Sequence, residues 1–545
     1  MNRITRSLFD EPVSEVTGLW SGPDASELTF RSWDQLRANA RRVAAGLAEA
    51  GVVPGDSVAI LAGPADDVTV TVEAIWMRGA MFTMLHQPTP RMNLETWLAD
   101  TRSVIEMLDA RVVVVSEPFT DAVRGLDLGA PLAVVHELAD RTDSIEHVPV
   151  AEDDTAILQL TSGTTGVPKA VAISYRNLQQ NHAAMVDRTG FTAEWVGVSW
   201  LPLYHDMGMI GMLMTPLLAQ ATTVIVPPLA FLKSPVSWAE LINRFNGNYT
   251  AAPNFAYSLL ARRLRRAPGG AYDLSCMRVA VNGAEIVDET TLEEFLAATA
   301  RFGFRPEALM PAYGMAETTL ATSFTDAGAR YSVDIVDSAQ VEGAGVVVRD
   351  SGGVSRTLMR LGTPVAGIEL KVVDGAGAAL PADRIGEILV RGDAVTRRYL
   401  LPGGYVSAVD ADGWLATGDL GYLTDTGETV VTGRKKDIII VSGRNIAPTT
   451  VERAAAAVEG VRAGSVAAVA VRLPGMAREG IAVIAESDSA EDAERSERIR
   501  KDVARAVYDD IGIAPAVVTI VHRGALPKTP SGKLRRSSAA ALIPS

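Results

Sequence analysis

Cysteine is almost absent from this chain of 545 residues: Cys276 is the only one. That excludes an internal disulfide and any cysteine-based metal cluster, and it makes a reducing compartment, by default the cytoplasm, the expectation. Positive charge is in short supply too, with 51 Lys and Arg against 65 Asp and Glu and a formal net charge of −14. Such a balance argues against a nucleic-acid partner, so a polyanionic ligand must be met by a local basic site. No apolar leader follows Met1, because Asn2, Arg3, Arg6 and Asp10 interrupt it. An unbroken membrane span is also missing. Met207 to Leu232 carries no charge and has the length, but Pro216, Gln220 and the Pro227-Pro228 pair divide it into a helix and a strand over Thr222 to Val226, as in a globular core.

The length exceeds what one core can fill, so at least two domains are expected. An amphipathic helix begins near Ser32, with Leu36, Ala40, Val43, Ala44 and Leu47 on one face and Gly51 as its stop. Strands at Ser57 to Leu61, Arg111 to Ser116, Pro131 to His136 and Ala156 to Leu160 alternate with helices such as Val68 to Met77. This β/α alternation predicts parallel sheets covered by helices. From Gly367 the pattern shifts to hairpin-like strands, Ile368 to Val373 and Gly386 to Val390, which predict a small barrel-like β subdomain. A further α/β unit follows Gly433, with helices at Val451 to Val461 and Glu497 to Asp510 and strands at Ser465 to Val471, Ile481 to Glu486 and Ala516 to Val521. The expected fold is therefore α/β: a large N-terminal domain over 1–432, a boundary at 433–436 and a smaller C-terminal α/β domain over 437–545.

The stretch Thr161-Ser162-Gly163-Thr164-Thr165-Gly166-Val167-Pro168-Lys169 directly follows a buried strand. Gly163 and Gly166 let backbone N–H groups turn onto an anion, the hydroxyls add donors and Lys169 adds a point charge, which together suit a nucleotide phosphate. Taken alone, the segment is as readily a hydroxyl-rich surface loop. It is not a Walker loop, since Val167-Pro168 separate the second glycine from the lysine and no hydroxyl follows, and Ser162 lacks the Gly-x-Ser-x-Gly frame of a serine nucleophile.

Five more segments accompany it in order: Asn282-Gly283-Ala284-Glu285, Ala312-Tyr313-Gly314-Met315-Ala316-Glu317-Thr318, Thr417-Gly418-Asp419-Leu420, Gly433-Arg434-Lys435-Lys436-Asp437 and Pro527-Lys528-Thr529-Pro530-Ser531-Gly532-Lys533. With the phosphate loop, this series resembles the motifs of the adenylate-forming (acyl-activating) superfamily over nearly the whole chain. The resemblance implies ATP and Mg²⁺ as cofactors and a nucleotide site built from Thr161 to Gly166, Lys169, Gly283 to Glu285, Ala312 to Glu317, Asp419 and Arg434. It implies that Tyr313 lies against adenine, that Glu317 holds the metal, that Asp419 accepts from the ribose hydroxyls and that Arg434 contacts ribose or phosphate. Singly, each has a plainer reading: a core tyrosine, a helix N-terminal carboxylate, a turn aspartate and a solvated arginine. Lys533 is the implied catalytic cation, placed where a carboxylate must approach the α-phosphate. Lys436 is the implied hinge, about which the small domain rotates between adenylation and thiol transfer.

A narrower likeness singles out fatty acyl-AMP ligases of actinobacterial polyketide and lipid pathways. It rests on Trp200-Leu201-Pro202-Leu203-Tyr204-His205-Asp206-Met207-Gly208-Met209, Ala252-Pro253-Asn254-Phe255-Ala256-Tyr257, Ala316 to Leu320 and Leu85-His86-Gln87-Pro88-Thr89-Pro90-Arg91. The implied reaction converts an apolar carboxylic acid to acyl-AMP and passes the acyl group to a carrier-protein thiol; CoA is the alternative acceptor. His205 would stand by the carboxylate or pyrophosphate, and Met207, Gly208, Phe255, Ala256 and Leu320 would line the acyl pocket. Such ligases carry an insertion that hampers thioesterification of CoA, and the long stretch Thr322 to Arg360 is its counterpart here. Val333, Ile335, Val341 and Val346 to Val348 predict short strands or a docking ridge in it, with a mobile end from Arg349 to Arg356.

Overall fold

The structure, a computed structural model, describes residues 3–88, 93–141, 145–161, 168–349, 352, 354–441, 444–462, 464–472, 479–528 and 534–543. The contacts divide it into two compact units: Met1–Tyr331 with Leu361–Glu369 and Val390–Leu415, and Ser332–Arg360 with Leu370–Leu389 and Ala416–Ser545.

The first unit is built on two large sheets. One has eight strands in the order Gly404–Ser407, Arg398–Leu401, Lys169–Ser174, Thr155–Thr161, Met81–Met84, Ser57–Leu61, Ala110–Val115, Leu132–Val134. Its middle is parallel, as the β/α alternation predicts, and Ser57–Leu61 is buried at every residue, the pattern of a strand covered on both faces. The other has nine strands and includes, side by side, Ala321–Phe324, Leu309–Gly314, Val279–Asn282, Tyr249–Ala252, Val196–Ser199 and Thr222–Ile225. The predicted helix after Ser32 runs from Trp33 to Glu49 behind a reciprocal cap, Ser32 accepting from Gln35 N–H and Gln35 from Ser32 N–H.

Two local expectations are corrected. The strand predicted for 131–136 ends at Val134, and Val135–Leu138 forms a helical turn. Leu138 there packs so closely on the Trp33–Glu49 helix that a Cβ at Gly46 would lie 2.5 Å from its carbonyl oxygen. Tertiary packing thus overrides the β propensity of Val135. The first part of the uncharged run, Met207 to Leu217, is wholly buried, as expected of core, whereas Leu229 and Leu232 near its end are exposed; Met207–Met214 winds as a π-helix before the α-helical turn Thr215–Leu218. No described helix is long and apolar enough to cross a membrane.

In the second unit, a four-stranded sheet contains Ile368–Val373, Gly386–Gly392, Leu415–Leu423 and Thr429–Arg434. A three-stranded sheet of Val466–Val471, Gly480–Glu486 and Val517–Val521 is covered by helices Pro448–Ala456 and Ala493–Ile511, which bury Val451, Ile499, Val503, Val507 and Ile511 at helical spacing. The inserted segment forms a hairpin, Val333–Asp337 with Ser355–Met359, around the helix Ser338–Ala344. Val333 and Ile335 are in a strand as predicted, whereas Val341 belongs to the helix. Arg349 and Arg356, expected in a mobile end, are both tied down by ion pairs.

The anchor of that insertion is Asp334, a buried carboxylate. It accepts from Arg349 (2.7 Å), Arg360 (2.5 Å) and the Tyr422 hydroxyl (2.7 Å). Burial alone would raise its pKa, but the three donors outweigh that and hold it at about 2. On the helix, buried Glu342 pairs with Arg444 (2.5 Å) and Arg356 (3.8 Å).

Candidate active site

The strand Thr155–Thr161 does not lead into a helix. Its chain returns antiparallel as Lys169–Ser174, with Lys169 opposite Thr161. Ser162, Gly163, Thr164, Thr165 and Gly166 lie outside the described residues, so the structure places only the two posts of the phosphate loop. At one post the Thr161 hydroxyl is buried and has no bond partner among the described residues. At the other, Lys169 Nζ stands 3.3 Å from Glu317 Oε1 and 3.9 Å above the centre of the Tyr399 ring. The Tyr399 hydroxyl donates to the same Oε1 at 3.3 Å. Tyr399 arrives on the strand Arg398–Leu401, which pairs with the lysine strand. Burial, and then the Glu317 charge, push the Tyr399 phenol well above its usual pKa, so it remains a neutral donor.

Glu317 is presented by strained backbone. It sits in the single turn Ala316–Thr318, and the next residue, Thr319, has φ 70° and ψ −57°, with Leu320 N–H bonded to Thr318 O at 2.9 Å. This tight three-residue turn is a costly conformation for a β-branched side chain. Side-chain bonds hold it: Thr319 Oγ1 donates to Ala394 O (2.8 Å), Asn181 exchanges bonds with the Ala321 backbone (2.8 and 2.9 Å), and Thr396 N–H donates to Glu317 O (2.8 Å).

The neighbouring motifs meet at adjacent strand ends. Tyr313, buried, and Gly314 end the strand Leu309–Gly314, with a bulge between them. A Cβ on Gly314 would lie 2.1 Å from Leu320 O, which only glycine allows. Met315 N–H bonds that same carbonyl. Gly283, just past the strand Val279–Asn282, lies against Ala312, its Cβ position 3.1 Å from Ala312 O. Ala284 follows in left-handed backbone, φ 68°. Glu285 accepts from Phe255 N–H at 2.7 Å and so caps the helix Asn254–Leu264. The Asn282 Oδ1, wholly buried, has no bond partner among the described residues.

The segments expected to form the acyl pocket lie in the same unit. Gln159, two residues before the phosphate loop, donates to Tyr204 O at 3.0 Å and so links that strand to the His205 segment. His205 Nδ1 is 2.6 Å from Asp206 Oδ1, which orients the ring. The π-helix begins at Met207. Gly208 lies where a Cβ would be 2.3 Å from Pro202 O, and Leu320 reaches to 3.1 Å of the Cβ position of Gly211. Met207 and Gly208 are buried in this helix, and half-buried Leu320 packs on it at Gly211. Ala256 is buried, while Phe255 is 40% exposed, its ring 6.2 Å from that of Trp200.

The remaining candidates belong to the second unit. Asp419, buried, stands opposite Arg434 on paired strands, with Nε 2.6 Å from Oδ1. Gly418, φ 72°, precedes it within the strand Leu415–Leu423. Lys435 pairs with Glu387 (2.8 Å) and Lys436 follows. Lys533 lies outside the described residues. Its flanks are fixed: Lys528 and Leu534 form an antiparallel bridge, and Arg536 pairs with Glu452 (2.7 Å) and Asp437 (3.1 Å).

Within the first unit, Lys169 and Glu317, 148 residues apart in sequence, therefore meet, as do the Gly283 and Ala312 motifs. Tyr399, Asn181 and Gln159 escaped sequence reasoning, because each acts through a partner brought near only by strand pairing. For Asp206 the signal was available, in its adjacency to His205.

The family model described as "AMP-binding enzyme" matches residues 22–400. The chain is 46% identical over 547 residues to "Putative ligase Rv1013" of Mycobacterium tuberculosis, covering 100% of both. It is 32% identical over 403 residues to "Medium-chain-fatty-acid--[acyl-carrier-protein] ligase JamA" of Moorena producens, covering 71% of this chain and 68% of that one. Among solved structures, one from a study of fatty acyl-adenylate ligases from E. coli and L. pneumophila superposes with TM-score 0.88 at 28% identity, covering 96% of this chain and 94% of that one. Six motifs in order, the meeting of Lys169 with Glu317, and these likenesses agree: the chain belongs to the AMP-binding enzyme family and is an adenylate-forming ligase that activates acids with ATP.

Proposed function

We propose that the protein converts an apolar carboxylic acid, a fatty acid or a bulky acid of secondary metabolism, to acyl-AMP and then acylates the phosphopantetheine thiol of an acyl carrier protein. A carboxylate oxygen attacks the α-phosphorus of ATP, and the bond from that phosphorus to the β-phosphate bridging oxygen breaks, releasing pyrophosphate. The thiol sulfur then attacks the acyl carbon, AMP leaves with the oxygen of the broken C–O bond, and the thiol proton passes to solvent.

The observation that carries this reading is the meeting of Lys169 and Glu317 at the mouth of the phosphate loop. Lys169, with the loop's Ser162 to Gly166, holds phosphate oxygens. Tyr313 and Gly283 to Glu285 frame the base, Asp419 and Arg434 take the ribose, and Lys533 neutralises charge between the two anionic reactants. His205, oriented by Asp206, stands toward the carboxylate, and Met207, Gly208, Phe255, Ala256 and Leu320 receive its apolar body. For Mg²⁺ the donor set fits: no cluster of three acidic, histidine or cysteine side chains occurs among the described residues, and Glu317 supplies one carboxylate. An ion that keeps most of its waters and leans on phosphate oxygens needs no more, and when bound it offsets charge on the triphosphate.

A carrier protein rather than CoA as acceptor is supported by the insertion read at Thr322 to Arg360, whose part Ser332–Arg360 is fastened through Asp334 and Glu342, and by the likeness to JamA, whose name specifies a carrier-protein product. The test offers a panel of acids with ATP, detects acyl-AMP by mass, and then presents CoA and a holo carrier protein in parallel. The expected result is acyl-AMP lost in Lys533→Ala, and thioester on the carrier alone. Robust acyl-CoA formation favours the CoA alternative, and unchanged acyl-AMP formation in Lys533→Ala removes that lysine from the mechanism.

A further inference from the structure

The Glu317 carboxylate is used unevenly. Oε1 receives both Lys169 Nζ and the Tyr399 hydroxyl, each at 3.3 Å, whereas Oε2 accepts from no described residue. Tyr399 makes two contacts with two parts of one amphipathic side chain: the hydroxyl holds the carboxylate, and the ring face carries the Lys169 ammonium at 3.9 Å. The tyrosine is itself fixed, because its strand is in register with the lysine strand and Thr396, three residues earlier, donates to Glu317 O and to Ala172 O.

We propose that Tyr399 is a positioning residue for the nucleotide: its hydroxyl turns Glu317 so that Oε2 faces a divalent cation, while its ring keeps Lys169 at the phosphate loop. The proposal rests on the AMP-binding reading of the site. A carboxylate held at one oxygen by two donors loses its rotational freedom before the ligand arrives, and the cost of ordering it is not charged to binding. The 3.3 Å contacts are long for bonds to a carboxylate, as befits a site that tightens around its ligand. The two halves of the side chain have separable duties, which is what makes the idea testable.

The experiment is calorimetric titration of ATP into the full-length protein, without acid, at a series of fixed Mg²⁺ concentrations. Tyr399→Phe keeps the ring and loses the hydroxyl; Tyr399→Leu loses both. Tyr399→Phe is expected to raise the Mg²⁺ concentration giving half-maximal ATP affinity by about tenfold, the lower range for a hydrogen bond to a charged group, with less change at saturating Mg²⁺. Tyr399→Leu is expected to weaken ATP at saturating Mg²⁺ as well. In a Glu317→Gln background, Tyr399→Phe is expected to add nothing. A Mg²⁺ midpoint within twofold of wild type in a Tyr399→Phe protein of unchanged melting temperature overturns the proposal. So does an equal loss in both variants at every Mg²⁺ concentration, which is the signature of damaged packing. If the wild-type protein binds no ATP with Mg²⁺, the underlying reading of the site falls, and this inference falls with it.

Discussion

At the scale of single residues, the site spends stability to place charge. Thr319 adopts a backbone geometry that a β-branched residue avoids, and it does so one turn beyond the carboxylate that the lysine needs. The strain persists because the surrounding bonds over-determine it, chief among them Thr319 Oγ1 to Ala394 O. Thr319→Val keeps the shape and removes that bond, leaving a buried carbonyl without its donor. The expected cost is about 1–3 kcal/mol, read as a lower midpoint in urea unfolding, together with weaker nucleotide binding as Glu317 loses its fixed backbone. Unaltered stability would show that the turn is held by packing alone. Thr319 and Glu317 are conspicuous in sequence only as parts of a motif. Their geometry is not legible there, since φ 70° at a threonine is the opposite of what local preference dictates.

At the scale of elements, the insertion behaves as a charged clamp on the four-stranded sheet. The hairpin Val333–Asp337 with Ser355–Met359 is short and leaves Ile335 exposed on its outer face, yet on the inner face buried Asp334 draws Arg349, Arg360 and Tyr422 onto one carboxylate. Because the folded pKa of Asp334, about 2, lies below its ordinary 3.8, the linkage favours the folded state above pH 4. As pH falls through 4 toward 2 the unfolded chain takes up the proton first, and about 2 kcal/mol is lost. Urea melts of the wild type between pH 5 and pH 2 should show this slope. Asp334→Asn should flatten it while lowering stability at pH 7 by about 3 kcal/mol, the lower range for breaking a buried ion pair, because Arg349 and Arg360 keep Asp383 and Glu428. An Asp334→Asn protein with the wild-type slope would locate the acid sensitivity elsewhere. The alternating valines predicted strands here. What they could not specify was the helix between the strands, because its burial comes from Val336, Val341, Val347 and Leu358 closing on Tyr422 and Val430 from another part of the chain.

At the scale of the whole molecule, the reading requires one site to serve two chemistries in turn, adenylation and thiol transfer. Lys436, in the segment Gly433 to Asp437, is the proposed pivot. Lys436→Pro, which freezes one backbone torsion and removes one N–H, should leave acid-dependent acyl-AMP formation largely intact while slowing transfer to the carrier thiol by about tenfold or more; equal loss of both half-reactions would place the pivot elsewhere. By itself the sequence determined the class of fold, the core helices and strands with strong periodicity, and the six motifs that announce nucleotide chemistry, because those are written in local pattern: hydrophobic period, glycine placement and residue types in fixed order. Only the tertiary structure decided that the phosphate-loop strand returns antiparallel, that the uncharged run winds as a π-helix, and that Lys169, Glu317 and Tyr399 converge. The physical reason is that strand register, close packing and ion pairing join residues that are not neighbours in sequence, and no local preference encodes which partner will fill a given place.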